Sequence, residues 1–482
     1  MLNNLLDFLW GKTMKKLDFK STDIKEFLFK TPLRISSIIT VIFCSVLFLF
    51  NFCNLCAYNK IQTPAELSPD QIEFLNATIE QNWPDKNQLL HSLPYNTSKP
   101  LFDIYAKSAI LVDVSTGDIL FEKNADEEIP PASMTKLVEM YVVFKEIQSG
   151  RISLDDVVPL FPECWAVNLP YDASKMFIQE GHKVTLRELL LGLAIASGND
   201  ASIAVAHYVA GSMEEFVNRM NKVISDLGLK KTHFVESSGY SELNITTARE
   251  FASFARVYLT DFPWSLEMFH AQKVLKYPLQ HNLPNWQSDE PDKQTIVQYN
   301  TNKLLGKLEG CDGLKTGFIN ESGYNLSLTC LRDGTRLLSV TMGGPGRGSA
   351  EGNIYRSADG TTLMDYGFNS FAPYTTQENS SYNMRTIGSK NRSVKLIAAA
   401  QESFSVPFIT GDSPKASAKS VTKNVILPKS AKGKIICGKQ YGTIQYKIGE
   451  TVLNNVPLIA DRDSEECWFG KRIADKIAEL IF

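Results

Sequence analysis

The sequence predicts an α/β domain followed by a small all-β domain, with an apolar segment ahead of both. Three observations carry this. Strand-like runs stand at both ends of the first region with helical patterns between them, as when one sheet joins early and late parts of a chain and is covered by helices. From about residue 385, short Val/Ile/Leu runs alternate with Lys, Ser and Gly turns, which is the texture of a β domain. Ile35 to Phe52 carries no charge and is about long enough to cross a bilayer.

The 482 residues give room for more than one domain and a sizeable core. A formal net charge of -3 says little about a polyanionic partner, but no dense basic stripe is present, which argues against nucleic acid. Lys12, Lys15, Lys16, Lys20, Lys25, Lys30 and Arg34 all precede the apolar run. Positive flanks stay in the cytoplasm, so residues 1–34 are expected inside and the chain after 57 outside. Residues 35–57 then form a signal anchor, or a signal peptide with Leu55-Cys56-Ala57 as a mediocre cleavage site. Cys44, Cys53 and Cys56 lie in or beside this run, and Cys164, Cys311, Cys330, Cys437 and Cys467 are scattered. These last five are odd in number and contain no Cys-x-x-Cys among themselves, which argues against a zinc site, a redox motif or a full disulfide framework built from them.

Residues 58–100 are polar and read as a spacer. Ser108 to Asp113 and Asp118 to Phe121 are strand-like and joined by Ser115-Thr116-Gly117. Next comes Pro131-Ala132-Ser133-Met134-Thr135-Lys136, opening a helix that is apolar nearly all round and is therefore expected to be buried, with Gly150 placed to end it. Ser133 and Lys136 share one face. A capping serine beside a solvated lysine would explain this stretch taken alone. Thr185 to Glu188 is a capping box before Leu189 to Ala196, and Ser212 to Glu215 is a second one. Ala201 to Ala210 is helical and closed by Gly211. Asp312 to Gly317, Tyr324 to Leu331 and Arg336 to Met342 are strands, the last two joined by Asp333-Gly334, a strong hairpin signal. The domain is expected over 101–380, closing near Tyr366-Gly367-Phe368, with the β domain over 385–466. Residues 467–482 read as an amphipathic helix: Ile473, Ile477, Leu480 and Ile481 share a face that, with Trp468 and Phe469, suits a membrane interface or a protein partner.

Three short motifs occur in order: Ser133-x-x-Lys136, Ser197-Gly198-Asn199 and Lys315-Thr316-Gly317. Each is weak alone; the ordered set is strong. With Leu111-Val112-Asp113, Asp200-Ala201, Thr247-Ala248-Arg249, Asp312-Gly313-Leu314, Tyr366-Gly367-Phe368 and Pro457-Leu458, the chain from about Ala106 onward resembles the D-alanyl-D-alanine carboxypeptidases. These are low-molecular-mass penicillin-binding proteins that share their fold with β-lactamases. The resemblance implies an antiparallel sheet with a helical subdomain, no metal or cofactor, and an external, periplasmic location at the cell membrane. Its implied partners are the peptidoglycan stem pentapeptide and β-lactam antibiotics.

It also implies roles. Ser133 attacks a peptide carbonyl, and Lys136 takes its proton. Lys136 must be neutral for this, so its reference pKa of about 10.4 must fall by several units; burial and the charge of Lys315 both act that way. The backbone N–H groups of Ser133 and Phe318 serve the oxyanion. Ser197 relays a proton to the leaving amine, and Asn199 holds Lys136 and the substrate backbone. Lys315 and Thr316, with Gly317 beside them and Arg356 as a second anchor, bind the terminal carboxylate. Removal of the last D-alanine through an acyl-enzyme follows. Glu236-Ser237-Ser238-Gly239 departs from the Asn-Pro-x-Gly of many relatives, and Phe318 stands where some have His. The alternatives are a D,D-endopeptidase, a β-lactamase with Glu236 activating water, and a catalytically idle penicillin sensor or wall-binding module. Glu-x-x-Leu-Asn fails at Tyr240, which weighs against the β-lactamase. The six histidines form no metal motif.

Overall fold

A computed structural model describes residues 65–66, 89–287 and 294–481. The basic segment at 1–34 and the apolar run at 35–52 lie outside the described residues. Among the described residues, no helix is long and apolar enough to cross a membrane.

Strands β1 (Ser108–Asp113) and β2 (Asp118–Lys123) form the first hairpin, turned by Gly117 at φ +79°. Helix α1 (Lys136–Gln148) follows, and then α2 (Leu186–Leu191), α3 (Asn199–Ala210), α4 (Met213–Asp226) and α5 (Ala248–Asp261). The late strands are β3 (Cys311–Ile319), β4 (Gly323–Arg332) and β5 (Thr335–Gly344), and α6 (Ser349–Ser370) runs past Tyr366-Gly367-Phe368. The sheet order is β3-β4-β5-β1-β2. β5 pairs antiparallel with β1 from Leu337↔Asp113 to Met342↔Ser108, which joins the two ends of the domain. Within the stretch read as a spacer, His91–Ser92 adds a short outer strand parallel to β2.

Alternation along β1 sends Ile110 and Val112 to one face and Ala109 and Leu111 to the other. The first face packs on the helical layer, through Met134, Leu137 and Phe144 around α1 and Phe251 and Phe254 on α5. The second packs on Leu363 and Met364 of α6. α1 is thus enclosed, as its all-round apolar surface requires. Thr185 and Glu188 satisfy each other's backbone N–H groups and start α2. That helix does not continue regularly to Ala196. Gly192–Ala196 is a π-helical turn that ends at Ser197 with φ +61°, and such turns often accompany functional sites.

The second unit contains β6 (Phe371–Thr375), β7 (Ser380–Ile387), β8 (Ser393–Ala398), β9 (Ser403–Pro407), the short helix α7 (Pro414–Lys419), β10 (Thr422–Ile426), β11 (Gln440–Ile448) and β12 (Thr451–Ala460). Its main sheet runs β7-β8-β12-β11-β10, extended beyond β7 by Ala65–Glu66, while β6 pairs β9. It has its own core, including Leu396, Val406, Ile444 and Leu458. Ser405 ties the units together: its N–H donates to Asp118 Oδ2 at 2.5 Å and its carbonyl accepts from Tyr95 Oη at 2.6 Å. Helix α8 (Phe469–Ile481) ends the chain, with Trp468, Phe469, Ile473 and Ile477 exposed.

Candidate active site

Ser133 sits not in α1 itself but in the 3-10 turn Ala132–Thr135 that feeds it. Ala132 is left-handed at φ +50°, a conformation that costs a non-glycine residue energy and persists only where the surroundings enforce it. Two glycines supply the room. A Cβ on Gly239 would lie 1.9 Å from the Ala132 carbonyl oxygen, and one on Gly317 would lie 2.4 Å from that of Pro131. The turn is therefore gripped between the 236–244 loop and β3, and Asn325 Nδ2 donates to Pro130 O at 2.9 Å behind it.

Ser133 is half-buried, while Lys136 is fully buried one helical turn on. Lys136 Nζ donates to Ser133 Oγ at 3.2 Å, Asn199 Oδ1 at 2.8 Å and the Ser238 carbonyl at 2.5 Å. Burial brings its pKa down to about 8, against the pull of Glu139, Glu236 and Asp200. This is the direction that a general base requires. The repulsion expected between the two lysines is felt by Lys315, which burial and the charges of Lys136 and Arg356 hold well below its ordinary value.

On the facing wall, Lys315 Nζ donates to Ser197 Oγ at 2.9 Å and to the Thr316 carbonyl at 3.1 Å, and Thr316 Oγ1 donates to Thr301 Oγ1 at 2.7 Å. β3 is the edge strand of its sheet, so one side of its backbone faces the nucleophile turn rather than another strand. Arg356, buried on α6, reaches the Gly317 and Asn325 carbonyls at 3.5 and 3.4 Å and lies over the Tyr324 ring. Phe318 stacks on the same ring at 4.3 Å and is partly exposed at the cleft rim.

The structure thus brings Lys136 to the Ser133 hydroxyl and Asn199 to Lys136, packs Gly317 against the nucleophile turn, and pairs Lys315 with Ser197, while Thr316, Phe318 and Arg356 lie on or against the same strand β3. Sequence reasoning missed Thr301, and it missed what Asp200 does. The Asp200 carboxylate accepts from the backbone N–H groups of Met176, Phe177, Ile178 and Ala201, pinning the 174–178 segment against α3 just beneath Asn199. Glu236 is also committed. Its oxygens accept from Ser238 N, Ser238 Oγ, Gly239 N and Asn244 Nδ2, so the carboxylate shapes the loop that holds the nucleophile turn.

A half-buried hydroxyl beside an amine that is neutral in part near pH 8, and a second hydroxyl–amine pair opposite, is equipment for nucleophilic acyl transfer. Comparison with known proteins agrees. Residues 94–346 match the family model described as D-alanyl-D-alanine carboxypeptidase, and residues 374–466 match that of the penicillin-binding protein 5 C-terminal domain. The chain is 32% identical to D-alanyl-D-alanine carboxypeptidase DacA of Haemophilus influenzae, over 76% of this chain and 88% of that protein. It is 31% identical to DacC of Escherichia coli, over 77% and 87%. The crystal structure of penicillin binding protein 5 from Haemophilus influenzae superposes with a TM-score of 0.62 at 27% identity, covering 77% of this chain and all of that one. Motifs, geometry and similarity agree: the chain belongs to the D-alanyl-D-alanine carboxypeptidase family of serine peptidases.

Proposed function

We propose the following division of labour for the serine carboxypeptidase activity of this chain. Lys136, as the free amine, takes the Ser133 proton, and Ser133 Oγ attacks the carbonyl carbon of the penultimate D-alanine of a peptidoglycan stem pentapeptide. The electron pair pushed onto the carbonyl oxygen is met by the N–H groups of Ser133 and Phe318. When the C–N bond breaks, Ser197 gives its proton to the leaving amine and is reprotonated across its bond to Lys315. Water then attacks the ester carbonyl, giving its proton to the Ser197–Lys315 pair, and Lys136 returns its proton to Ser133 Oγ as that oxygen leaves. Lys315, Thr316 and Arg356 grip the terminal carboxylate, whose arrival restores the charge that burial has drained from Lys315. β-Lactams, which mimic the terminal dipeptide, acylate the same hydroxyl.

The observation that carries this reading is the contact between Lys136 and both Ser133 and Asn199, set opposite the contact between Lys315 and Ser197. The test is release of D-alanine from a pentapeptide and of D-alaninamide from the same peptide amidated at its C-terminus. Release only from the free acid supports the carboxylate pocket. Equal release from both would overturn it and favour an endopeptidase.

The division into a catalytic unit, expected over 101–380, and a β unit, expected over 385–466, is supported by their separate cores, with the strands of the second unit already beginning at Phe371 and Ser380. Placement outside the cytoplasm, on the periplasmic face of the membrane, is supported by the one-sided positive flank of the 35–52 run and by the exposed apolar side chains at the start of α8.

A further inference from the structure

Ser133, Lys136 and Glu139 stand three residues apart on one face of α1 and the turn before it, and they meet matching pairs on two other elements. Asn199 and Ser202 are one turn apart on α3, and Ser237 and Ser238 are adjacent in the loop. The upper tier is Lys136 with Asn199 and Ser238. The lower tier is Glu139, whose Oε2 accepts from Ser202 Oγ at 2.8 Å, with Ser237 Oγ a further 2.7 Å from that hydroxyl. Glu139, Ser202 and Ser237 have no exposed surface at all.

Three acids surround the general base: Glu139 on its own helix, Asp200 on α3 and Glu236 in the loop. The cations near it are Lys315 on β3 and, beyond that, Arg356 on α6. Asp200 accepts from four donors and Glu236 from five, all in their own neighbourhoods. Glu139 has one hydroxyl, and its Oε1 is buried without a hydrogen-bond partner among the described residues. A carboxylate so poorly solvated is costly unless an opposite charge stands close by.

We propose that Glu139 is a positioning residue for the general base, the buried counter-charge of the ammonium that Lys136 becomes on taking the Ser133 proton. When that proton arrives, the three acceptors of Nζ are a hydroxyl, an amide oxygen and a peptide carbonyl, all neutral. The remaining charge balance comes from one turn below. Burial drives Glu139 up and Lys136 down, while the charge of each pulls the other back toward its ordinary value, so the two titrate as a coupled pair. Glutamine, of the same size and always neutral, removes the largest of the three acidic influences on Lys136 and leaves the ammonium to Glu236 and Asp200.

The inference rests on the acyl-transfer reading above, and its test separates the two. Acylation by a fluorescent penicillin and D-alanine release are measured against pH for the wild type, Glu139→Gln and Ser202→Ala. A wild type that neither acylates nor releases D-alanine refutes the underlying reading. If it does both, the acid limb of Glu139→Gln is expected about one pH unit lower, because removing an adjacent negative charge weakens the base. Ser202→Ala, which strips the carboxylate of its one donor, is expected to move the limb the same way by less. A purely structural role would lower the rate at every pH and leave the limb in place. An unmoved limb in the folded variants overturns the proposal. If Glu139→Gln does not fold, the limb of Ser202→Ala decides alone.

Discussion

Replacing Gly239 with alanine disturbs the nucleophile without altering any group that does chemistry. Two costs arise at this position. The first is conformational: φ is +79°, and an L-residue held there loses about 1–2 kcal/mol. The second is steric. The added Cβ meets the Ala132 carbonyl oxygen at 1.9 Å and the Ser133 nitrogen at 2.8 Å, where ordinary contact begins near 3.4 Å. Both obstacles are backbone, so no side chain can swing aside, and the loop and the nucleophile turn must part by about 1 Å or more. A displacement of that size at the reacting atom costs about 10²-fold in rate. Gly150→Ala is the matched control: its φ is +73°, but an added Cβ has nothing within 4 Å. The assay is the second-order rate of acylation by a fluorescent penicillin, with the melting temperature measured alongside. Gly150→Ala is expected to lose a little stability and acylate at the wild-type rate. Gly239→Ala is expected to lose about two orders of magnitude in acylation while remaining folded. A folded Gly239→Ala that acylates at the rate of the control would refute the view that this loop sets the position of Ser133.

Lys136→Ala should lower acylation and D-alanine release by about 10²–10⁴-fold, measured by the same label and by released amino acid. In the wild type, Lys136 holds a proton below about pH 8 and is the free base above it, so release should rise with pH through that value; a rate already flat from pH 6 would contradict the assignment. On the proposed division of labour, in which Arg356 anchors the terminal carboxylate, Arg356→Gln should raise KM for the pentapeptide more than it lowers kcat. Glu236→Ala removes the acceptor of Ser238 N, Gly239 N and Asn244 Nδ2 and should slow acylation and lower the melting temperature. A selective stall after acylation, with the penicilloyl enzyme accumulating at an unchanged rate, would instead mark Glu236 as the base that activates water.

The chemical groups were legible in the sequence because their spacing is short and ordered: a serine and a lysine one turn apart, a Ser-Gly-Asn after an apolar helix, a Lys-Thr-Gly inside a strand. The sheet joining early and late chain was legible from alternation. What orients these groups was not. Ala132 gives no sign of its left-handed backbone, which is enforced from outside by Gly239 and Gly317. The π-helical end of the Gly192–Ala196 segment looks from its residues like a regular helix. Glu139 hides within a run otherwise apolar, where a lone acid reads as a break in pattern rather than as a member of the site. Asp200 was seen only as part of a motif, because three of the four backbone donors that it gathers lie more than twenty residues away. The outer strand at His91–Ser92 has no hydrophobic alternation to announce it, since a two-residue strand shows no period.

The most direct test of the account is where the acyl group goes. The protein is exposed to penicillin, quenched in acid and digested, and the mass of the peptide containing Ser133 is measured, in parallel with D-alanine release by wild type and Ser133→Ala. The account predicts one adduct, carried by that peptide at Ser133, and loss of both adduct and release in the variant. An adduct on another residue, or full release by Ser133→Ala, would contradict it.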